Sequence, residues 1–317
     1  MRNSRELVLG GLAFMILALV VTFFYTPVDD LVVGNPYWNG LSELYNEIEP
    51  IRVHNSEDYR LIDASNSTLF IIGPSRDFVQ EDMDAVIGFL IFGGKVVLAD
   101  DFGTGNQLLG GLGLDIRFTG ELLVDPVFFD TIPEYPRLLN FSSSDVGDVV
   151  LNYATTLTSD VKLRVLEFSS PLSYYNNSDG VESGTFPVLG NIKLGRGNLY
   201  LLSDSSVFLN TMIGNEGNRD LLVSLANGNI YIDTSYSIPT RLLGVKWLVR
   251  DFYSVFNRSE VLYASLVLVS LLIVRLNSDE NDGMVVDEVE ELLKHHSEWD
   301  RELITWLQVQ RSNNDGN

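Results

Sequence analysis

The chain has 317 residues, of which 45% are hydrophobic and 20% are charged, so it can bury the core of one large or two small domains. Asp and Glu number 43 against 21 Lys and Arg, giving a formal net charge of -22. That surplus repels phosphate backbones and disfavours nucleic-acid binding. Cysteine is absent and only three histidines occur, which excludes disulfides and a cysteine nucleophile and disfavours a histidine-rich metal centre.

The first element in chain order is an uncharged apolar segment, residues 7–25. Its length approaches the roughly 20 residues that cross a hydrocarbon core. A cleaved signal peptide is the alternative, but Thr26 and Pro27 follow in place of a small-residue cleavage site. Two arginines precede the segment and two aspartates follow it. The sequence therefore predicts a transmembrane helix with residues 1–6 in the cytoplasm.

A second apolar run, residues 261–276, is shorter than an ideal span, and a buried core helix is the alternative. It has no amphipathic stripe, and Arg275 closes it, which favours a second crossing. We expect a multi-pass protein of the cell membrane, with both termini cytoplasmic and residues 28–258 extracytoplasmic. Four glycosylation sequons lie in that outer part, at Asn66, Asn140, Asn176 and Asn257.

The outer part alternates apolar runs with helical patterns. Predicted strands are 51–53, 69–73, 95–100, 198–203 and 229–233, and predicted helices are 37–48, 79–92 and 216–226. This alternation predicts an α/β fold with a doubly wound, mostly parallel sheet. Residues 115–197 are rich in Ser, Asn, Gly and β-branched types. We interpret them as a β-rich insertion packed on the sheet.

Ligands of open α/β sheets bind beyond the carboxyl ends of the strands. The candidate binding residues at those ends are Ser75, Arg76, Asp100, Asp101, Gly103, Thr104, Gly105, Asn106, Ser203 and Asp204. Gly103 and Gly105 allow a tight turn whose N–H groups form a candidate anion cradle. The third glycine of a dinucleotide fingerprint is missing, which disfavours a dinucleotide.

Two interpretations of the aspartates remain open. Asp100 or Asp101, with Asp204, offers the oxygen ligands that suit Mg²⁺ or Ca²⁺. Alternatively, these side chains accept backbone N–H groups, capping helices and closing turns. Arg76 either pairs with one of the carboxylates or points to solvent.

Five segments carry a resemblance to a known family. They are 35–44 (NPYWNGLSEL), 72–76 (IGPSR), 93–106 (GGKVVLADDFGTGN), 151–156 (LNYATT) and 202–210 (LSDSSVFLN). Over roughly residues 30–235 the chain resembles uncharacterised archaeal membrane proteins that carry a domain of unknown function. That resemblance implies a class I glutamine-amidotransferase-like, flavodoxin-like fold. It also implies a role beside MoxR-type AAA+ ATPases and von Willebrand-like proteins in a membrane assembly or maturation system.

Amidotransferase chemistry does not follow from this resemblance. It requires a Cys nucleophile activated by His and oriented by a carboxylate, and the chain has no Cys. The outer part holds one histidine, His54, which we interpret as a surface or interface residue. The sequence therefore predicts a pseudoenzyme, because fold alone does not carry function.

The last segment, residues 277–317, is predicted to be an acidic linker followed by an amphipathic helix that is broken near Ser297. Its apolar positions are Val286, Val289, Leu292, Leu293, Trp299, Leu303, Trp306 and Leu307. His295 and His296 are adjacent and cannot face one metal. A docking helix for a cytoplasmic partner is the favoured interpretation, and the alternatives are a membrane-interface anchor or a helix that folds back on its own hairpin.

The sequence therefore predicts a membrane-anchored, non-enzymatic binding or scaffold module that acts with protein partners and without an obligatory cofactor. The competing hypothesis is a hydrolase in which a divalent cation held by Asp100, Asp101 or Asp204 activates water. A third interpretation takes the acidic surface as an adaptation to salty surroundings.

Overall fold

The computed structural model describes residues 29–139, 146–158, 162–237, 240–241, 243–246, 248, 289–296 and 299–315, together with isolated helical positions in the two apolar segments. The chain divides into two compact units, Met1–Val245 and Lys246–Asn317. Most of residues 7–25 and 261–276 lie outside the described part. Within the described part, no helix combines the length and the apolar character of a membrane span.

The first unit is a mixed α/β domain. Its strands are β1 (Ile51–Val53), β2 (Ser67–Ile72), β3 (Lys95–Ala99), β4 (Arg137–Leu138), β5 (Val149–Val150), β6 (Arg164–Phe168), β7 (Tyr174–Asn177), β8 (Gly180–Ser183), β9 (Pro187–Leu194), β10 (Gly197–Leu202) and β11 (Asn229–Asp233). Its helices are α1 (Ser42–Ile48), α2 (Gln80–Ile91), α3 (Gly105–Gly111) and α4 (Glu216–Leu225), with short 3₁₀ helices at Ser56–Leu61, Ala64–Asn66 and Ser206–Phe208.

Seven strands form the central sheet, in the order β1-β11-β2-β3-β10-β9-β6. The first five are mutually parallel, so the predicted mainly parallel α/β sheet is confirmed. The unit β2-α2-β3 matches its sequence prediction closely. Its buried strands are nearly continuous apolar runs, as expected when both faces of a sheet are covered.

Alternate residues of these strands pack into two separate cores. Phe70, Val97 and Leu202 face one core, which α1 and α4 cover through Leu44 and Leu221. Neighbouring residues such as Leu69, Val96 and Leu201 face the other core, which contains apolar residues of α2 and α3.

Residues 115–197 do more than pack on the sheet. β9 pairs with β10 and β6 pairs with β9, both antiparallel, so two of their strands extend the central sheet. A two-residue turn at Gly195-Arg196 joins β9 to β10. Gly195 has φ 59°, and an added Cβ would lie 2.8 Å from the Cα of Ile91. Only glycine fits this turn without strain.

The predicted helix 37–48 is shorter in the structure, because residues 37–41 belong to a loop. Gly40 fixes this loop: an added Cβ would lie 1.8 Å from the Asn35 carbonyl oxygen. The start of the loop is tied to the far end of the domain. The Asp29 carboxylate accepts hydrogen bonds from the Thr240 backbone N–H (2.6 Å) and hydroxyl (2.8 Å).

In the second unit, residues 289–295 are helical and α5 spans Arg301–Asp315. An ion pair joins Arg301 to Glu290 at 3.2 Å. The apolar positions Trp299, Leu303, Trp306 and Leu307 are exposed by 43% to 59%. The helix therefore carries an exposed apolar stripe, the feature on which the docking-helix prediction rests.

Candidate functional site

Five loops meet at the edge of the sheet where the parallel strands end. We call them the carboxyl-edge platform, consisting of residues 29–41, 73–76, 100–106, 151–156 and 203–210. Contacts between the loops hold the platform together. Thr104 donates from N and Oγ1 to the Pro74 carbonyl (2.8 and 3.0 Å), and the Asn210 amide donates to the Asn35 carbonyl (3.0 Å). Segments far apart in the sequence therefore form one surface.

The loop N–H groups expected to form an anion cradle bind a carboxylate of the chain itself. Asp100 is 1% exposed and lies directly after β3. Its Oδ1 accepts from the N–H groups of Asp101 (3.0 Å) and Gly103 (2.9 Å), and its Oδ2 accepts from Gly105 N–H (2.7 Å). An added Cβ at Gly103 or Gly105 would lie 2.5 Å from these oxygens. The glycines therefore permit the approach of Asp100 to the loop.

Asp204 plays the same part in the next loop. It is fully buried, its Oδ1 accepts from the N–H groups of Ser206 (2.7 Å) and Val207 (3.1 Å), and its Oδ2 accepts from Asn152 (2.6 Å). Asp101 accepts from the Phe102 N–H (2.7 Å) and from the Ser205 hydroxyl (3.1 Å). All six carboxylate oxygens of the trio thus have loop donors.

Burial dominates the electrostatics of these aspartates. Desolvation and, to a lesser extent, the nearby Asp101 charge raise the pKa of Asp204 to about 8, although three backbone hydrogen bonds act to lower it. Desolvation likewise raises the pKa of Asp100 to about 6, and it raises the pKa of Asp101.

Of the remaining candidates on the platform, Ser75 and Asn106 also have structural partners, whereas the Ser203 side chain has none within the described residues. The Ser75 hydroxyl donates to the Tyr236 carbonyl (2.8 Å). The Asn106 side chain exchanges two hydrogen bonds with the backbone of Phe118, at 2.8 and 2.9 Å. Ser203 is fully buried, and its hydroxyl has no hydrogen-bond partner among the described atoms.

Arg76 pairs with none of the three predicted carboxylates. Its Nη2 lies 3.2 Å from Oδ2 of Asp82, and its guanidinium lies 4.9 Å from the centre of the Tyr236 ring. Asp82, 3% exposed, also accepts from the Ser56 hydroxyl at 2.6 Å. Sequence reasoning missed Asp82, although its place in the first turn of α2 is typical of a capping carboxylate.

The single histidine of the outer part is held at the end of β1. The Thr234 hydroxyl donates to the Val53 carbonyl (2.9 Å), so it accepts from His54 Nδ1–H at 2.8 Å. His54 has no described contact with the three aspartates of the platform.

The described residues contain no group of three or more His, Cys, Asp or Glu side chains placed to hold a metal ion. Asp100, Asp101 and Asp204 do not form such a group. The physical reason is that their carboxylate oxygens accept hydrogen bonds from loop donors. Of the sequons, Asn66 and Asn176 are exposed, whereas Asn140 and Asn257 lie outside the described part.

The platform presents aromatic side chains that sequence reasoning did not select. Trp38, Phe102 and Tyr153 are 57%, 56% and 45% exposed. Tyr153 has φ 54°, an unusual value for an aromatic residue, and its ring lies edge-on to Tyr135. The surrounding hydrogen bonds hold this strained conformation, a pattern that often marks a binding surface.

These features define a mixed α/β domain with a mainly parallel sheet and a preformed loop surface at its carboxyl edge. The chain belongs to the family defined by DUF4350, a domain of unknown function, which matches residues 33–226. The resemblance seen in the sequence is confirmed at that level. No curated protein sequence matches the chain.

Similar solved structures are distant. The mmIFT52 N-terminal domain has 16% identity and a TM-score of 0.43, covering 55% of this chain and 79% of that one. Cytoplasmic protein STM1381 from Salmonella typhimurium LT2 has 12% identity and a TM-score of 0.29, covering 55% and 76%. Exo-beta-1,4-mannosidase Op5Man5 from Opitutaceae bacterium strain TAV5 has 11% identity and a TM-score of 0.26, covering 45% of this chain and 22% of the enzyme. Functional inference therefore rests on the site.

Proposed function

We propose that the chain is a membrane-anchored, non-enzymatic binding module whose carboxyl-edge platform contacts a protein partner. The observation that carries this proposal is the engagement of Asp100, Asp101 and Asp204 by loop donors. A general base or metal ligand needs a free lone pair directed at the reacting group. Here every carboxylate oxygen already accepts a hydrogen bond from a loop donor, so the surface is preformed before a partner arrives.

Rigidity and exposed aromatic rings favour binding. A preformed surface loses little conformational entropy on association, and aromatic side chains dominate the energetics of protein interfaces. Trp38, Phe102 and Tyr153 supply such rings on three different platform loops. Residues 7–25 and 261–276 are proposed to fasten this domain to the membrane, with the domain outside and both termini inside.

The resemblance to membrane proteins suggests what the partners are. We propose an AAA+ ATPase or a von Willebrand-like protein, met within a membrane assembly or maturation system. The exposed stripe of α5 is proposed as the cytoplasmic contact, and the platform as the outer one.

The test is affinity capture of the tagged full chain from native membranes, with identification of AAA+ ATPases and von Willebrand-like proteins. We expect Phe102→Ala and Tyr153→Ala to lower capture at least fivefold, because each removes an exposed ring. Thermal stability should be unchanged in Phe102→Ala, whereas Tyr153→Ala also loses the ring contact with Tyr135. Val181→Ala, in the 68% exposed position of the β7–β8 hairpin, is the matched control. Equal capture by all variants would contradict the platform as the contact surface.

A cation-dependent hydrolase remains the competing hypothesis, favoured only by the raised pKa values of Asp100 and Asp204. Asp101→Asn distinguishes the two. A hydrolase loses its Mg²⁺- or Ca²⁺-dependent turnover in this variant, whereas a binding module shows no such turnover before or after the change. Metal-dependent hydrolysis by the wild type that disappears in the variant would overturn the binding proposal.

A further inference from the structure

The strongest feature outside the platform is a concave pocket of about 660 Å³ between residues 59–65 and one face of α2. We call it the Gly88 pocket. Ser65 precedes β2 and Arg196 precedes β10, so the pocket lies near the amino ends of parallel strands, at the opposite edge from the platform. Its volume is within the range of small-molecule sites.

The floor of the pocket is apolar and rigid. Tyr59 and Phe89 are each 3% exposed, with ring centres 6.4 Å apart. The Tyr59 hydroxyl donates to Asp233, which fixes the orientation of the ring behind the pocket wall. The small side chains Ala64 and Ala85 line the same floor. This surface suits a flat apolar body.

Gly88 lies in the interior of α2 and lines this pocket. Its backbone does not need glycine, because its φ lies outside the left-handed region, and an added Cβ would meet no atom within 4 Å. Glycine has the poorest helix propensity of any residue except proline. Neighbouring glycines are different: a Cβ at Gly94 would lie 2.3 Å from the Phe89 ring. Gly88 therefore leaves open a space that the fold does not fill.

The rim of the pocket carries charged side chains of both signs, and the two arginines are the ones without a carboxylate partner in the described part of the chain. The pocket is lined by Arg60 and Arg196 and by Asp63 and Asp84. Asp63 accepts from Ser65 N–H and hydroxyl, and Asp84 accepts from Gln80. Among the described residues, neither arginine has a carboxylate within ion-pair distance, and Arg196 makes only a 3.5 Å contact to the Phe92 carbonyl.

From this arrangement we propose that the Gly88 pocket binds a small amphipathic carboxylate. The flat apolar body lies over Gly88 against the Tyr59 and Phe89 rings, and the carboxylate pairs with Arg60 and Arg196 at the rim. Guanidinium groups bind carboxylates with planar, charge-assisted hydrogen bonds. The negative net charge of the chain is screened beyond about 8 Å at physiological salt. Within that distance the two arginines attract the carboxylate, and the nearby Asp63 and Asp84 carboxylates each already accept a hydrogen bond from the chain.

The test is isothermal titration calorimetry of the full chain with 2-naphthoate and with its neutral analogue 2-naphthamide. We expect saturable binding of 2-naphthoate with one site per chain. Arg60→Gln and Arg196→Gln should each weaken 2-naphthoate binding about tenfold and change 2-naphthamide binding less than twofold. Arg164→Gln, an exposed arginine on β6, is the matched control and should behave as wild type.

Substitutions of Gly88 form the second part of the test. Gly88→Leu should abolish binding of both probes, because its side chain occupies the place of the apolar body. Glu81→Leu, at an exposed position of the same helix outside the pocket, should leave binding unchanged. Gly88→Ala should raise the melting temperature and weaken the binding of both probes. A variant that is more stable but binds less tightly shows that the loss of binding does not come from unfolding.

The proposal is overturned if 2-naphthoate does not bind saturably, if the arginine variants weaken both probes equally, or if Gly88→Leu binds as wild type. It is independent of the platform. The affinity-capture experiment tests the platform, and the calorimetry experiment tests the pocket. If Gly88→Leu leaves partner capture intact, or if only Tyr153→Ala lowers it, that result concerns the proposed function and not this pocket.

Discussion

At the scale of single residues, Asp204 shows what the platform aspartates do. A carboxyl group that is fully buried and accepts three backbone N–H groups organises its own loop and the loop that contains Asn152. Its environment disfavours the charged form because water is excluded. The same group that shapes the surface therefore makes the domain sensitive to pH.

The free energy of unfolding should fall as pH rises from about 4 to about 8. In that window the folded state retains a proton on Asp204, with pKa about 8, that the unfolded chain, with a pKa near 3.9, has released. The fall is at most about 1.4 kcal/mol per pH unit for one proton. Asp100, with pKa about 6, adds to the slope below pH 6.

Urea unfolding at several pH values measures this effect. Asp204→Asn should flatten the slope between pH 6 and 8, because it removes the titrating group at constant size. Asp179→Asn, which removes a charge from the exposed hairpin, should keep the wild-type slope. A wild-type slope in Asp204→Asn would show that another group takes the proton.

At the scale of elements, α4 is anchored by one buried amide. Asn218 is fully buried, accepts from the Val150 N–H (2.8 Å), and donates to the carbonyls of Val150 (3.0 Å) and Met212 (3.1 Å). It therefore joins the helix to β5 and to the chain beyond the last platform loop. The Val150 N–H and carbonyl lose this partner if the amide is removed, whereas the Met212 carbonyl still accepts from the Asn215 N–H at 3.1 Å.

Asn218→Ala should lower the free energy of unfolding by roughly 2 to 4 kcal/mol, since buried unpaired backbone groups cost about 1 to 3 kcal/mol each. Urea denaturation measures it. Asn229→Ala, at an exposed position of β11, serves as the control and should stay within about 0.5 kcal/mol of wild type. A loss below about 1 kcal/mol would mean that water replaces the amide.

The spacing of apolar residues predicted strands and helices well where the apolar side chains are also the buried ones. The apolar runs at β2 and β3 and the helical spacing of α2 are local signals, and they placed the candidate aspartates at one edge of the sheet. The pairing of β9 with β10 was not predicted, because a strand's neighbours depend on contacts remote from its own composition. Nor could the sequence show that Asp100 fills its own anion cradle, since that depends on loop geometry.

At the scale of the whole molecule, the net charge of -22 and the two apolar segments are the dominant features. Within the apolar segments, the described side chains of Phe14, Leu17, Val20, Val267 and Leu271 are 46% to 74% exposed. Exposed side chains of this kind at helical spacing are typical of a surface that contacts lipid or protein. This arrangement supports the anchoring proposal and makes it testable.

The full chain should remain in the membrane pellet after alkaline carbonate extraction. Arginine at the centre of a span costs about 2.5 to 3.5 kcal/mol, so the double variant Leu17→Arg/Leu271→Arg should shift toward the supernatant. Leu61→Arg, at an 86% exposed position of the α/β domain, is the matched control. Release of the wild-type chain by carbonate would refute integral anchoring.

The contact between Asp29 and Thr240 has a mechanical consequence. These residues mark the two ends of the α/β domain, and their hydrogen bonds of 2.6 and 2.8 Å close the polypeptide into a loop. Tension applied to both ends acts first on these two hydrogen bonds. The strands of the sheet bear no force until the hydrogen bonds break. Pulling on the two flanking segments therefore separates Asp29 from Thr240 before it stretches the sheet.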